Sequence, residues 1–274
     1  MTNNKGSNKY LFPLIVMATL FFLLGFITTM NNSMIDFLKD AFGLGEVEKQ
    51  LPNTFFYGAY ILSVPVGFLI NRIGYKKGVL AGLAMIAAGF FLCIPAVANG
   101  YYAFLSAVSI FAIGVVLLQV AANPYVNALG SPETAASRLT LTNALNSVAT
   151  VIAPIFVSLL IVTDTKDPKA VQGPFGIIGA IMVVILVIMF FLKLPEIKGE
   201  EEDKATGKVK AYKSSAFQYT HMWLGSLAIF FYMGIEIGIP SFFADYSTKS
   251  LGFDFSSVQR TDMLKYYWGG LMVG

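Results

Sequence analysis

Long apolar runs alternate with short polar stretches along nearly the whole chain. The runs cover 10–35, 51–71, 78–98, 101–129, 139–162, 174–194 and 219–246, and an eighth begins near Leu264. Each is about the twenty residues that carry a helix across a bilayer. Every backbone polar group in hydrocarbon must be satisfied within the segment, so the runs are predicted to be helices. Residues 1–9 and 195–218 are polar and predicted to lie outside the membrane. The predicted fold class is therefore all-α, a polytopic membrane protein.

Composition supports this. Apolar residues make up 56% of the chain and charged residues 13%, against about 25% charged in a soluble domain. The charges sit almost entirely between the apolar runs. The first run exceeds the core of a signal peptide and lacks a clear small-residue cleavage site, so it is expected to be a first span. The single cysteine, Cys93, excludes an internal disulfide and is expected to pack in the core.

The placement of lysine and arginine predicts orientation. With the N-terminus cytoplasmic, the inner segments hold Lys5, Lys9, Arg72, Lys76, Lys77, Arg138, Lys193, Lys198, Lys204, Lys208, Lys210 and Lys213, which is 12 of the 19 basic residues. The outer segments hold the remaining 7: Lys39, Lys49, Lys166, Lys169, Lys249, Arg260 and Lys265. That excess is the positive-inside pattern. Six spans, a long charged loop and further spans match a transporter built of two halves. The predicted organisation is 1–194 as an N-terminal six-helix half, 195–218 as a cytoplasmic linker, and 219–274 as a partial C-terminal half. A faint echo supports repetition: Phe22/Gly25, Phe111/Gly114 and Phe231/Gly234 place Phe three before Gly in spans one, four and seven.

The stretch 111–138, FAIGVVLLQVAANPYVNALGSPETAASR, organises the rest. Gln119 and Asn123 stand four apart and share one helix face. An amide in hydrocarbon costs free energy unless partnered, so this face is expected to meet protein or a wet cavity. Pro124 frees the Val120 carbonyl and is expected to bend span four. Pro65 and Pro154 are expected to be packing kinks. Asn143 and Asn146 add two amides to span five, and Asn32 one to span one. Five amides in three spans fit a hydrophilic cavity, with interhelical bonding as the alternative. Sugar binding needs such groups for hydroxyls and aromatic faces for the ring; Phe55, Phe56, Tyr57 and Tyr60 are candidates to stack on it, with lipid-facing positions as the alternative. Glu236, deep in span seven with Pro240 four residues on, is a coupling candidate by its depth. A structural pair is the alternative there. Arg138 is expected to cap the turn between spans four and five, and His221 to sit at the interface. No metal cluster, nucleotide-binding glycine loop or nucleophile triad is present, so neither cofactor nor enzyme activity is expected. Nothing points to nucleic acid.

The turn after span two reads GFLINRIGYKK over 67–77. It resembles the signature of the major facilitator superfamily, carried here by Gly67, Arg72, Gly74, Lys76 and Lys77. Gly67 would allow close helix approach, and the basic residues would meet helix C-termini and anionic headgroups. Asn71 stands where the superfamily usually has an acid. The segments 25–32 (GFITTMNN), 53–78 (NTFFYGAYILSVPVGFLINRIGYKKG) and 117–147 (LLQVAANPYVNALGSPETAASRLTLTNALNS) are similar to the fucose permease and glucose/galactose transporter family.

That resemblance implies a bacterial inner-membrane symporter for a hexose of the L-fucose, glucose or galactose class, working by alternating access. It implies that Asn143 and Asn146 line the sugar cavity, and with Asn32, Gln119 and Asn123 they are the candidate substrate-binding residues. It also implies two departures. Asn32 replaces the usual first-span carboxylate, and Gln119 matches the glucose/galactose branch where the fucose branch has Glu. Amides carry no proton at physiological pH. Coupling would then use another group such as Glu236, or a cation such as sodium, or be absent. Family members have about twelve spans, so the resemblance implies a chain truncated after about seven and a half. The alternatives are a facilitator of another neutral solute and a non-transporting fragment.

Overall fold

The computed structural model describes residues 7–161, 167–192, 218–253 and 257–273. The described residues form ten α-helices: α1 (Ser7–Ser33), α2 (Ile35–Phe42), α3 (Leu51–Gly58), α4 (Ser63–Ile73), α5 (Tyr75–Ala98), α6 (Tyr101–Ala128), α7 (Ala135–Leu160), α8 (Gln172–Phe191), α9 (Thr220–Lys249) and α10 (Ser257–Val273). Seven segments are long and apolar enough to cross a membrane, and they match the seven predicted runs. The predicted linker lies outside the described residues except for Gln218.

The second span is not one continuous helix. A 3₁₀ stretch, Ala59–Leu62, joins α3 to α4. Pro65 cannot donate to the Ile61 carbonyl, and Gly58 has a low helical propensity, so the α-helical ladder is weakest here. Mid-helix 3₁₀ turns often mark functional hinges.

The turns between spans are sharp. Gly74 has φ 91° and Gly100 has φ 104°, values that L side chains rarely adopt. Gly74 also donates its N–H to the Ile70 carbonyl at 2.8 Å, closing the second span. The basic turn completes the junction. Lys76 Nζ donates to the carbonyls of Phe190 at 3.1 Å and Leu192 at 2.8 Å, capping the C-terminus of α8 with a cation. Asn71, Arg72 and Lys77 are exposed. A Cβ on Gly67 would meet only Val120 Cγ1 at 4.0 Å, an ordinary contact.

A close helix crossing lies between α5 and α6. A Cβ on Gly82 of α5 would come within 2.9 Å of the Gly114 carbonyl, and one on Gly114 of α6 within 2.9 Å of the Gly82 carbonyl. Two facing glycines thus let the α5 and α6 backbones touch, as small residues do between membrane helices. Beside them Phe90 stacks on Phe111 at 4.8 Å and meets Phe175 of α8 edge-on at 5.2 Å.

The chain divides into two compact units, residues 1–197 with 255–274, and residues 198–254. In the first, α6 is the most buried span and packs on α1, α3, α4, α5 and α7, while α10 packs on α7 and α2. The second contains α9, which runs through Pro240.

Candidate functional site

The polar side chains of the first six spans fall into three groups. The first joins α1 to α3. Asn31 Nδ2 donates to Asn53 Oδ1 at 3.1 Å, and Asn53 Nδ2 donates to Asn32 Oδ1 at 3.1 Å. All three are buried. Asn53 is therefore the hub, and Asn32 sits in a network rather than alone. Four residues after Asn32 stands Asp36, in α2, and four residues before Asn53 stands Lys49, in the 3₁₀ turn that precedes α3. Lys49 is only 1% exposed, with Glu46 Oε2 at 3.0 Å and Asp36 Oδ1 at 3.8 Å. Lys39 also reaches Glu46 at 2.7 Å. A lysine counted by sequence among loop charges is thus buried under two carboxylates. The spacing holds the missed signal, since Asn32/Asp36 and Lys49/Asn53 are both i, i+4 pairs.

The second group lies on α6. Gln119 and Asn123 are half-buried, as the shared face predicts. Tyr60, on the 3₁₀ stretch of span two, donates its hydroxyl to Gln119 Oε1 at 2.6 Å. Asn123 Nδ2 donates to the Gln119 main-chain carbonyl at 3.0 Å. The Tyr57 and Tyr60 rings lie 6.3 Å apart and tilted by 30°. Sequence offered Tyr60 as an aromatic face; the structure gives its hydroxyl a specific partner 59 residues away.

The third group joins α7 to α1. Asn146 Nδ2 donates to the Phe21 carbonyl at 2.9 Å. A Cβ on Gly25 would lie 2.5 Å from the Asn146 carbonyl, so glycine there lets the two helices meet. Asn143, three residues earlier, is exposed. The neighbouring cleft between α1 and α7 is lined by Leu14, Ala18, Phe22, Leu141 and Leu145 among others, with Thr19 its polar exception. The five amides singled out by sequence therefore divide. Asn32 and Asn146 bond across helices, Gln119 and Asn123 form one face, and Asn143 stands apart.

Arg138 closes the turn after α6. It donates to the carbonyls of Val126 at 3.2 Å, Asn127 at 2.8 Å and Ser131 at 3.1 Å, and to the Thr134 hydroxyl. The guanidinium fork thus satisfies carbonyls that the helix end leaves open.

In α9, Glu236 accepts a hydrogen bond from the Tyr232 hydroxyl one turn earlier. Ser241 donates to the Ile237 carbonyl at 2.7 Å. His221, at the start of the helix, is exposed, its ring 5.3 Å from that of Tyr219.

These helices, turns and amide faces define a multi-pass α-helical membrane protein. The model of the Major Facilitator Superfamily matches residues 17–274, and the chain belongs to that family. It is 40% identical over 281 residues to a glucose/galactose transporter of Brucella abortus biovar 1 (strain 9-941), covering 100% of this chain and 67% of the relative. It is 28% identical over 269 residues to the L-fucose-proton symporter of Escherichia coli K12, covering 89% of this chain and 61% of that protein. The crystal structure of the E. coli fucose:proton symporter superposes with a TM-score of 0.71 at 25% identity, over 96% of this chain and 68% of the other. These relatives are transporters, not enzymes. The chain spans about two thirds of the length of the Brucella relative.

Proposed function

We propose that this chain serves the import of a hexose of the glucose, galactose or L-fucose class across the bacterial inner membrane. It does so as a cation-coupled symporter working by alternating access, with the N-terminus in the cytoplasm. The observation that carries this reading is the half-buried Gln119/Asn123 face, which bears hydrogen-bonding groups of both polarities in an otherwise apolar span. Neutral polyols are recognised by such paired donors and acceptors. Resemblance to the glucose/galactose transporters adds support. Asn143 and Asn146 complete the sugar site in this reading, while Asn32 is committed to the buried network with Asn53, and the basic signature turn faces cytoplasmic headgroups. The linker 195–218 joins the six-span half to the start of the second half at 219–274.

Coupling falls to Glu236. Asn32 and Gln119 are amides and hold no exchangeable charge. The Glu236 carboxylate, held by Tyr232, is the ionisable group deep in a span. It carries either a proton or a sodium ion.

Uptake of labelled glucose, galactose and L-fucose into proteoliposomes tests this, with proton and sodium gradients imposed separately. Accumulation of one hexose, abolished by Glu236→Gln under a gradient but not in passive exchange, supports the reading. Equilibrium binding of the same sugars by the purified chain is the second measurement. Neither uptake nor binding of any hexose overturns the assignment.

A further inference from the structure

Gln119 is the one amide of α6 whose side chain is held from another span. Its Oε1 accepts the Tyr60 hydroxyl at 2.6 Å, and Tyr60 stands where the second span gives up α-helical geometry. An amide is ambiguous: one end accepts and the other donates, and rotation by half a turn exchanges them. A phenol proton on Oε1 removes that ambiguity. The carbonyl end is occupied and the two Nε2–H donors remain. Asn123 is fixed in the opposite sense. One Nδ2–H is engaged with the Gln119 main-chain carbonyl at 3.0 Å, which fixes the amide so that Oδ1 is its acceptor beside one remaining N–H. The α6 face thus offers a donor at Gln119 and an acceptor at Asn123, spaced by about one helical turn of roughly 5.4 Å.

We propose that Tyr60 is a positioning residue that sets the polarity of the Gln119 amide, so that the α6 face recognises two neighbouring hydroxyls of the sugar. Gln119 donates to one hydroxyl oxygen, and Asn123 accepts the proton of the next. This deepens the sugar reading above and rests on it. The pattern is directional: the hydroxyl at Gln119 needs only a lone pair, and the one at Asn123 needs its proton. The 3₁₀ stretch couples this setting to the second span, because any change there that withdraws Tyr60 frees the amide to rotate.

Two measurements on the full chain test this. In the first, Gln is labelled with ¹⁵N and the Gln119 side-chain amide is assigned by its loss in Gln119→Leu. Tyr60→Phe, which keeps the ring and removes only the hydroxyl, is expected to shift that resonance without unfolding the protein. An unmoved resonance overturns the positioning role with or without any ligand. The second measures binding of the preferred hexose and its monodeoxy and deoxyfluoro analogues to both proteins. Tyr60→Phe is expected to weaken the parent sugar about tenfold. The analogue lacking the hydroxyl read by Gln119 should bind both proteins equally. Its fluoro counterpart, which accepts weakly and donates nothing, should bind better than the deoxy sugar to the unaltered chain. Uniform weakening of every analogue would show a merely structural tyrosine, and loss of the fluoro sugar would show that Gln119 accepts; either overturns the proposal. If the unaltered chain binds no hexose, the sugar reading fails and the hydroxyl recognition with it, while the resonance still decides whether Tyr60 holds the amide.

Discussion

The asparagines between α1 and α3 and the amides of α6 contain the same chemical group put to opposite uses. Asn31, Asn32 and Asn53 are buried and bonded to one another, and Lys49 is sealed beside them under two carboxylates. Gln119 and Asn123 are half-buried; each has one end of its amide bonded and the other end without a partner among the described residues. A polar group in an apolar span is therefore not by itself a site. A network buried between helices ties them together, whereas half-exposed amides keep hydrogen-bonding capacity for something that enters and leaves. Exposure separates the two: the asparagines between α1 and α3 are buried, and Gln119 and Asn123 are half-buried.

The comparison breaks most visibly at the charges. Asp36→Asn combined with Glu46→Gln removes these two carboxylates from a lysine that is 1% exposed. Removing the partner of a buried ion is expected to cost about 3 kcal/mol. The opposite change, Lys49→Met, leaves carboxylates that are 20% and 47% exposed and that water can solvate. It should cost about 1 kcal/mol. Thermal unfolding in detergent measures both, and equal losses would show that Lys49 is not the desolvated partner. Sugar affinity of the folded fraction should stay the same.

Next in size is the α6 face. Gln119→Ala removes the group that Tyr60 holds. It is expected to weaken hexose binding about thirtyfold, or about 2 kcal/mol, with little change in unfolding temperature. Asn53→Leu should do the reverse. It strips two buried amides of their common partner and is expected to lower stability by about 1.5 kcal/mol, discounted for the modest worth of such bonds in membranes. Hexose affinity should hardly move. If Asn53→Leu weakened the sugar as much as Gln119→Ala does, the buried network would be part of the site and the distinction would fall.

The spans were legible because a bilayer imposes a length, and runs near twenty apolar residues report it directly. The glycine of the signature turn was legible for a similar reason, since Gly74 occupies a backbone conformation that other residues avoid. The i, i+4 spacing placed Gln119 and Asn123 on one face. What spacing could not supply was the partner. Tyr60 and Gln119 are 59 positions apart, and Asn146 meets a carbonyl 125 positions away. Those pairings depend on how helices cross, and close crossings here turn on glycines such as Gly25, Gly82 and Gly114. The Phe–Gly echo illustrates the limit. Gly25 and Gly114 both sit where a neighbouring helix would collide with a Cβ, while nothing lies within 4 Å of one on Gly234. Pro65 was legible as a disturbance, but the 3₁₀ geometry that aims Tyr60 from Ala59–Leu62 was not.

The smallest expected effect separates two neighbours on α7. Asn146 donates to the Phe21 carbonyl at 2.9 Å and lies against Gly25, so Asn146→Ala breaks a bond between helices and should cost about 1 kcal/mol of stability. Asn143 is exposed; its main-chain carbonyl accepts from the Ser147 hydroxyl at 3.2 Å, and its side-chain amide has no partner among the described residues. Asn143→Ala should leave stability within about 0.5 kcal/mol of the unaltered protein, as for surface positions generally. If its free amide meets the sugar, affinity falls about threefold while the melting temperature stays put. A loss of stability without a loss of affinity would instead move Asn143 into the class of Asn53, whose amide is spent on its own helices.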